Sequence, residues 1–110
     1  MQITEQTRDG VLVVALDGRL DSNTSGALEA VLPARIQAHE RVVLDLAQVP
    51  YVSSAGLRVL LIGAKAARAG GRKFALSGLT ESVREVFDIS GFTSIFTLAA
   101  DVEDAIVQVA

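Results

Sequence analysis

Cysteine is absent from the 110 residues, which excludes disulfide staples, thiolate metal sites and a thiol nucleophile and is compatible with either redox compartment. Histidine occurs once, at His39. A Ser-His-acid triad would depend on it, yet it falls at the polar end of a helical segment beside Glu40, and no Gly-x-Ser-x-Gly elbow accompanies it. One histidine with dispersed carboxylates forms no recognisable metal shell either. Gly56 and Gly70-Gly71 match neither the P-loop spacing nor the dinucleotide fingerprint and read as helix punctuation. The expectation is therefore no catalytic residue, no metal and no cofactor.

Long apolar runs are missing too. Asp17, Arg58, Lys65 and Arg68 interrupt the hydrophobic segments well short of the roughly 20 residues that span a bilayer, so membrane insertion is not expected. The start Met1-Gln2-Ile3-Thr4-Glu5 has neither the basic residues nor the apolar stretch of a secretory signal, and a cytoplasmic location is expected. Ten basic and thirteen acidic residues give a net charge of -3. They form no basic stripe, so direct nucleic-acid contact is not expected.

What is present is half hydrophobic and of the commonest size for one domain, spanning residues 1–110 with no linker, repeat or low-complexity tract. Ile3 to Thr7 and Val11 to Leu16 are β-prone and flank Arg8-Asp9-Gly10, in which Asp-Gly signals a tight hairpin. Asp21 to Ser25 offer several N-caps ahead of Leu28, Val31, Leu32 and Ile36, a helical spacing running to about Ala38 that Pro33 should kink or divide. Val42 to Leu46 reads as a central strand covered on both faces. A helix from about Ser54 carries Leu57, Leu60, Leu61 and Ala64 on one face and ends at Gly70-Gly71. Val59 and Ile62 widen that apolar face beyond what one sheet face needs, and the surplus points to a partner.

Arg72 to Leu76 forms the next strand. Thr80-Glu81 opens a helix with Val83, Val86 and Phe87 inward, closed near Ser90-Gly91. Phe92, Ile95 and Phe96 anchor a last short strand, and Asp101 to Val109 forms a closing amphipathic helix. The expected fold is α/β: a small mixed sheet of four to five strands, an N-terminal hairpin followed by parallel strands, with about four helices. In such sheets binding usually occurs outside the strand C-terminal ends, which should bring together the connections Leu16 to Asn23, Leu46 to Gly56 and Leu76 to Thr80.

Within those connections, Tyr51-Val52-Ser53-Ser54-Ala55-Gly56-Leu57 places two hydroxyls where a strand exit becomes the most apolar helix. Ser54 read as a plain N-cap would contribute about 1 kcal/mol. A phosphate on the same hydroxyl would lie at the positive end of the helix dipole among free N–H groups, and Arg58, four residues on, shares its face.

At these residues the chain resembles the STAS family of bacterial anti-sigma-factor antagonists. The resemblance runs from Gly18-Arg19-Leu20-Asp21 through Val43-Leu44-Asp45-Leu46 and the Tyr51-to-Leu57 block to Val83-Arg84-Glu85-Val86-Phe87, Ser90-Gly91-Phe92 and Ile95-Phe96. It implies a STAS-like fold and makes Ser54, two before the helix glycine, the phosphoacceptor. An aspartate usually precedes that serine, whereas this chain has Ser53, a competing acceptor. The resemblance implies partner switching: the unphosphorylated chain binds an anti-sigma factor with serine kinase activity and releases the sigma factor, and phosphorylation at Ser54 reverses the binding. A phosphatase is a further candidate partner. The expected partner surface comprises Asp21, Ser53, Gly56, Leu57, Arg58, Val59 and Ile62 on a monomer or weak homodimer. The competing expectation is an unphosphorylated structural subunit of a transporter complex or stress-signalling scaffold, assembled through Val59 and Ile62.

Overall fold

The Asp9-Gly10 dipeptide takes positive φ at both residues, 53° and 77°, the primed-turn geometry that matches the twist of a two-residue hairpin. It joins strands β1 (Gln2–Arg8) and β2 (Val11–Asp17), paired from Gln2↔Asp17 to Arg8↔Val11. The computed structural model describes all of residues 1–110. After the hairpin come α1 (Ser25–Glu29), α2 (Leu32–Ala38), β3 (Arg41–Gln48), α3 (Ser54–Gly70), β4 (Lys73–Ser77), α4 (Glu81–Ile89), β5 (Thr97–Ala99) and α5 (Val102–Gln108). The five strands lie in sequence order, with β2 to β5 parallel. This is the mixed sheet expected, with the first helix in two pieces. Pro33 is the second residue of α2, where its missing N–H leaves no intrahelical bond unmade.

Alternation along the strands divides the core. Leu12, Val14 and Leu16 of β2, with Val42, Leu44 and Leu46 of β3, face one side and pack with Leu28, Leu32, Ile36, Leu60 and Phe87 from the first four helices. Val11, Val13, Val43, Ala75 and Ala99 face the other side, where Ala105 and Val109 close the smaller cluster. Both faces of β3 are thus covered, which explains its near-continuous apolar run. The Arg8–Glu103 pair at 2.8 Å ties the hairpin to α5, and Arg35–Glu5, also 2.8 Å, ties it to α2.

The apolar arc of α3 is wide because the helix meets α1, α2 and the sheet together. Val59 is 1% exposed within the larger core, so its place on the expected partner surface is corrected: the surplus apolar width covers α3's own neighbours. Gly63 shows the same crowding, since a Cβ there would sit 2.9 Å from Leu32 Cδ2 and 3.3 Å from Ile36 Cδ1. Phe92, Ile95 and Phe96 precede β5 instead of forming part of it. No helix is long and apolar enough to cross a membrane.

Candidate functional site

Two connections at the strand C-terminal ends are zipped together by main-chain bonds. Gly18 N–H donates to Gln48 O at 3.0 Å, Leu20 N–H to Tyr51 O at 3.0 Å, and Ser53 N–H to Leu20 O at 2.9 Å. Leu20 and Val52 form a parallel bridge, so the sheet pattern continues past its last regular pair. An extra residue in β3 between the pairs Ala15↔Asp45 and Asp17↔Gln48 turns the chain toward this ladder. Asp45 Oδ1 accepts the Ala47 N–H at that irregularity, at 3.0 Å. The third connection joins through Thr80, whose hydroxyl caps α4 by accepting from Val83 N–H at 3.3 Å and donates to Val49 O at 3.5 Å.

The ladder delivers the chain to α3 in a defined pose. Ser53, extended at φ -85° and ψ 174°, is the N-cap, and its Oγ accepts from Gly56 N–H at 3.3 Å. This corrects the reading of Ser54 as the cap. A capping residue must be extended, and the chain turns helical one residue earlier than that reading placed it. Ser54 is the first helical residue, exposed to solvent. The N–H groups of Ser54 and Ala55 fall in the first turn, which has no intrahelical acceptors. Ser53 also performs the cap that an aspartate at this position would provide, without its charge.

Gly56 is buried against the neighbouring connection: a Cβ there would lie 2.8 Å from both Leu20 Cγ and Leu20 O. Its expected place on the partner surface is therefore corrected as well, since it fixes the surface from below and a partner has no access to it. Asp21 comes to the site through the Leu20 bridge, but its carboxylate is largely spent within its own loop. Oδ1 accepts from Asn23 N–H at 2.9 Å, Oδ2 lies 3.6 Å from Arg19 Nε, and the side chain is 22% exposed. These donors, the Asn23 amide above all, hold its carboxyl below the ordinary carboxylate range against the opposing effect of burial. Arg19 stacks 4.4 Å above the Tyr51 ring, so Tyr51, Arg19 and Asp21 form one continuous polar-aromatic strip. The α1 N-cap position is Thr24, which makes no capping bond because its hydroxyl donates to Arg19 O and accepts from Asp21 N–H.

Ser54, Leu57, Arg58, Leu61, Ser90 and Phe92 line a groove of about 260 Å³ between the start of α3 and the end of α4. Its walls are mostly apolar, and the Ser54 hydroxyl stands on its rim. Arg58 is in place beside Ser54 but is paired with Glu29 at 3.6 Å, with 71% of its side chain exposed. Ile62 is half-buried on the outward face that also carries Arg58 and Lys65. The α4 side of the groove was not apparent from the sequence. The signal available was Ile89, next to Ser90 and 87% exposed, which sits off the inward stripe of Val83, Val86 and Phe87. His39 ends α2, with Nδ1 3.0 Å from Arg35 O, away from this surface.

A mixed sheet whose strand-end connections present an exposed serine beside an apolar groove is the architecture of a small α/β interaction module. The chain belongs to the STAS domain family, whose model matches residues 2–105. It is 46% identical over 106 residues to BtrV of Bordetella bronchiseptica, named for a proposed role as an anti-sigma factor antagonist, covering 96% of this chain and 91% of that one. It is 31% identical over 100 residues to the anti-sigma F factor antagonist of Paenibacillus polymyxa, covering 89% and 86% of the two chains. The crystal structure of an anti-sigma factor antagonist from Mycobacterium paratuberculosis superposes with a TM-score of 0.86 at 27% identity, covering 98% of this chain and 92% of that one.

Proposed function

We propose that this protein is a cytoplasmic anti-sigma factor antagonist that works by partner switching, with Ser54 as its phosphoacceptor. Unmodified, its groove and the strip from Asp21 to Tyr51 bind an anti-sigma factor with serine kinase activity, which frees the sigma factor. Phosphorylation at Ser54 reverses the binding, and a phosphatase restores it. The observation that carries the reading is the exposed Ser54 hydroxyl on the rim of an apolar groove, with the capping role taken by Ser53. The names of the relatives at 46% and 31% identity support it.

The physics of the switch follows from that placement. A phosphate adds about 1.5 to 2 negative charges, which the start of a 17-residue helix favours. The exposed Arg58–Glu29 pair is of the kind that contributes about 0–1 kcal/mol, so Arg58 is available to turn to a phosphate one turn away. A partner seated in the apolar groove would have to dehydrate that same charge. A hundredfold loss of affinity needs about 2.7 kcal/mol, less than the several kcal/mol that burying an unpaired ion costs. The kinase supplies ATP and catalysis, and this chain is substrate and ligand. The structural-subunit alternative relied on Val59 and Ile62; with Val59 in the core, its surface shrinks to Ile62.

The test is mass spectrometry after incubation with ATP and the serine-kinase anti-sigma factors of the source cell, paired with binding measurements. Expected are phosphate on Ser54, none in Ser54→Ala, retained binding by Ser54→Ala and lost binding by Ser54→Asp. Incorporation that persists in Ser54→Ala and vanishes in Ser53→Ala would move the switch to Ser53. Recovery of membrane transporter subunits in place of a kinase-like partner would sink the proposal.

A further inference from the structure

We propose that the opposite end of α3 holds a second ligand site, independent of Ser54, for a small amphipathic anion: a carboxylate or phosphate head on an apolar body. The site is a groove of about 370 Å³, with Phe74, Ile95 and Phe96 among its apolar walls and Arg68, Arg72 and Lys73 at its rim. It exists because β5 is short. Its first residue, Thr97, pairs with Ala75, so Lys73 and Phe74, paired with β3 on one side, extend beyond β5 with no strand on the other. Ile95, one of only four large hydrophobic side chains left exposed, lies at this opening.

Charge points to the head group. Of the ten basic residues, Arg8, Arg19, Arg35, Arg58 and Arg84 each have a carboxylate within 4.0 Å. Arg41, Lys65, Arg68, Arg72 and Lys73 have no aspartate or glutamate within that distance. Three of these five line the groove, and Arg41 shares with Arg72 and Lys73 an adjoining recess whose single acid is Glu40. A protein of net charge -3 thus gathers four of these five cations at one end.

These cations have a second available role, as counter-charges to helix C-termini. Arg72 donates to Gln37 O at 3.1 Å at the end of α2, Lys73 donates to Ala110 O at 2.9 Å beyond α5, and Arg68 lies in the last turn of α3. A helix end carries about half a negative charge and the Ala110 carboxylate about one, so together they offset roughly 2 of the three positive charges and leave about 1 unmatched. Donors remain as well. Arg72 has five N–H groups, Lys73 has three, and each makes one such bond. An inorganic anion would match the rim and leave Phe74 and Ile95 uncovered; a purely apolar molecule would do the reverse. The volume is at the lower end of the roughly 300–1,000 Å³ typical of small-ligand pockets. Arg68 lies fourteen residues along α3 from Ser54, roughly 21 Å at 1.5 Å per residue, so the two sites do not overlap.

Calorimetric titration and ¹⁵N NMR of the full chain, with decyl phosphate and decanoate below their micelle concentrations, test the proposal. Decanol and inorganic phosphate serve as body-only and head-only probes. Expected is saturable 1:1 binding of at least one amphiphile, with amide shifts at Phe74 and Ile95 to Thr97 and none at Ser54. Each amphiphile that binds should do so more weakly in high salt. The R68Q/K73Q double variant should stay folded, its melting temperature lowered only slightly by the loss of two helix-end counter-charges, and lose about tenfold in affinity, as removal of charge-assisted contacts predicts. Tighter binding of decyl phosphate identifies a phosphate ester as the ligand class, and tighter binding of decanoate a carboxylate. Absence of saturation, equal affinity for decanol, undiminished binding by the double variant, or shifts centred on Ser54 would each overturn it.

Discussion

Replacing Gly56 with alanine tests the contact that fuses two connections of the site into one surface. The added Cβ would sit 2.8 Å from Leu20 Cγ, 2.8 Å from Leu20 O and 3.1 Å from Val52 Cγ1. None of these retreats easily. Leu20 is fully buried, its carbonyl accepts from Ser53 N–H at 2.9 Å, and its N–H donates to Tyr51 O at 3.0 Å. Overpacking costs about 1–3 kcal/mol, and a fixed backbone carbonyl at 2.8 Å puts this case in the upper part, about 2–3 kcal/mol, against which the better helix propensity of alanine returns about 1 kcal/mol. The net expectation is a loss of about 1–2 kcal/mol, or roughly 5–15 °C in Tm for a domain of this size. Gly26 in α1 is the internal control, because nothing lies within 4 Å of the position an added methyl group would take there. Gly26→Ala should raise stability by about 0.5–1 kcal/mol through helix propensity alone. Thermal melts followed by circular dichroism, with urea transitions to check an unchanged m-value, measure both. A Gly56→Ala protein that melts at or above the wild-type temperature refutes the claim that Leu20 and α3 are locked together.

Three further outcomes follow from named contacts. Ser53→Ala should lose about 1 kcal/mol by removing the α3 cap while Ser53→Asp keeps it, as denaturant midpoints will show. Asp21 titrates below its unfolded value of about 3.9, so its contribution to stability is present above that pH and is lost as the pH falls through the lower folded value; a carboxyl midpoint by NMR at or above 3.9 contradicts the Asn23 contact. Ser77 Oγ is buried in β4 without a hydrogen-bond partner from the protein, so Ser77→Ala removes a desolvation penalty of about 1–3 kcal/mol and should leave Tm unchanged or raised. A clear drop in Tm would mean that the hydroxyl has a partner in solution.

The fold was legible where local chemistry was unambiguous. Asp9-Gly10 announced the hairpin, Pro33 the division between α1 and α2, and Gly71, at φ 65°, the end of α3. What misled was width. An apolar stripe broader than one sheet face requires looked like a partner surface, because no local pattern reveals that α1 and α2 lie against the flank of α3 and bury Val59. The site was half legible. Ser54 and Arg58 lie close enough in sequence for helical spacing to place them together, whereas Ser90 and Phe92 reach the same groove only through the packing of α4. The cap lies one residue earlier than expected for a similar reason. Either serine suits the role chemically, and the Leu20–Ser53 bond, a tertiary contact, decides which one is held extended.

That one-residue shift bears on how the proposed switch is built. If Ser54 capped α3, phosphorylation would remove a cap worth about 1 kcal/mol, and the fold and the signal would compete for one hydroxyl. With Ser53 accepting from Gly56 N–H, the two roles fall on adjacent residues, and the capping serine is held in place by the Leu20 ladder. Modification at Ser54 then adds charge where the helix dipole tolerates it and leaves every bond of the ladder intact. On the proposed reading, the free energy of the switch is therefore spent at the partner's interface, where a charged rim faces an apolar groove, and almost none of it on this protein's own stability. The phosphorylated and unmodified proteins should accordingly have stabilities within about 1 kcal/mol of each other while differing by at least about 2.7 kcal/mol, a hundredfold, in partner affinity. A phosphorylated form that is strongly destabilised would place the switch in the fold instead of at the interface.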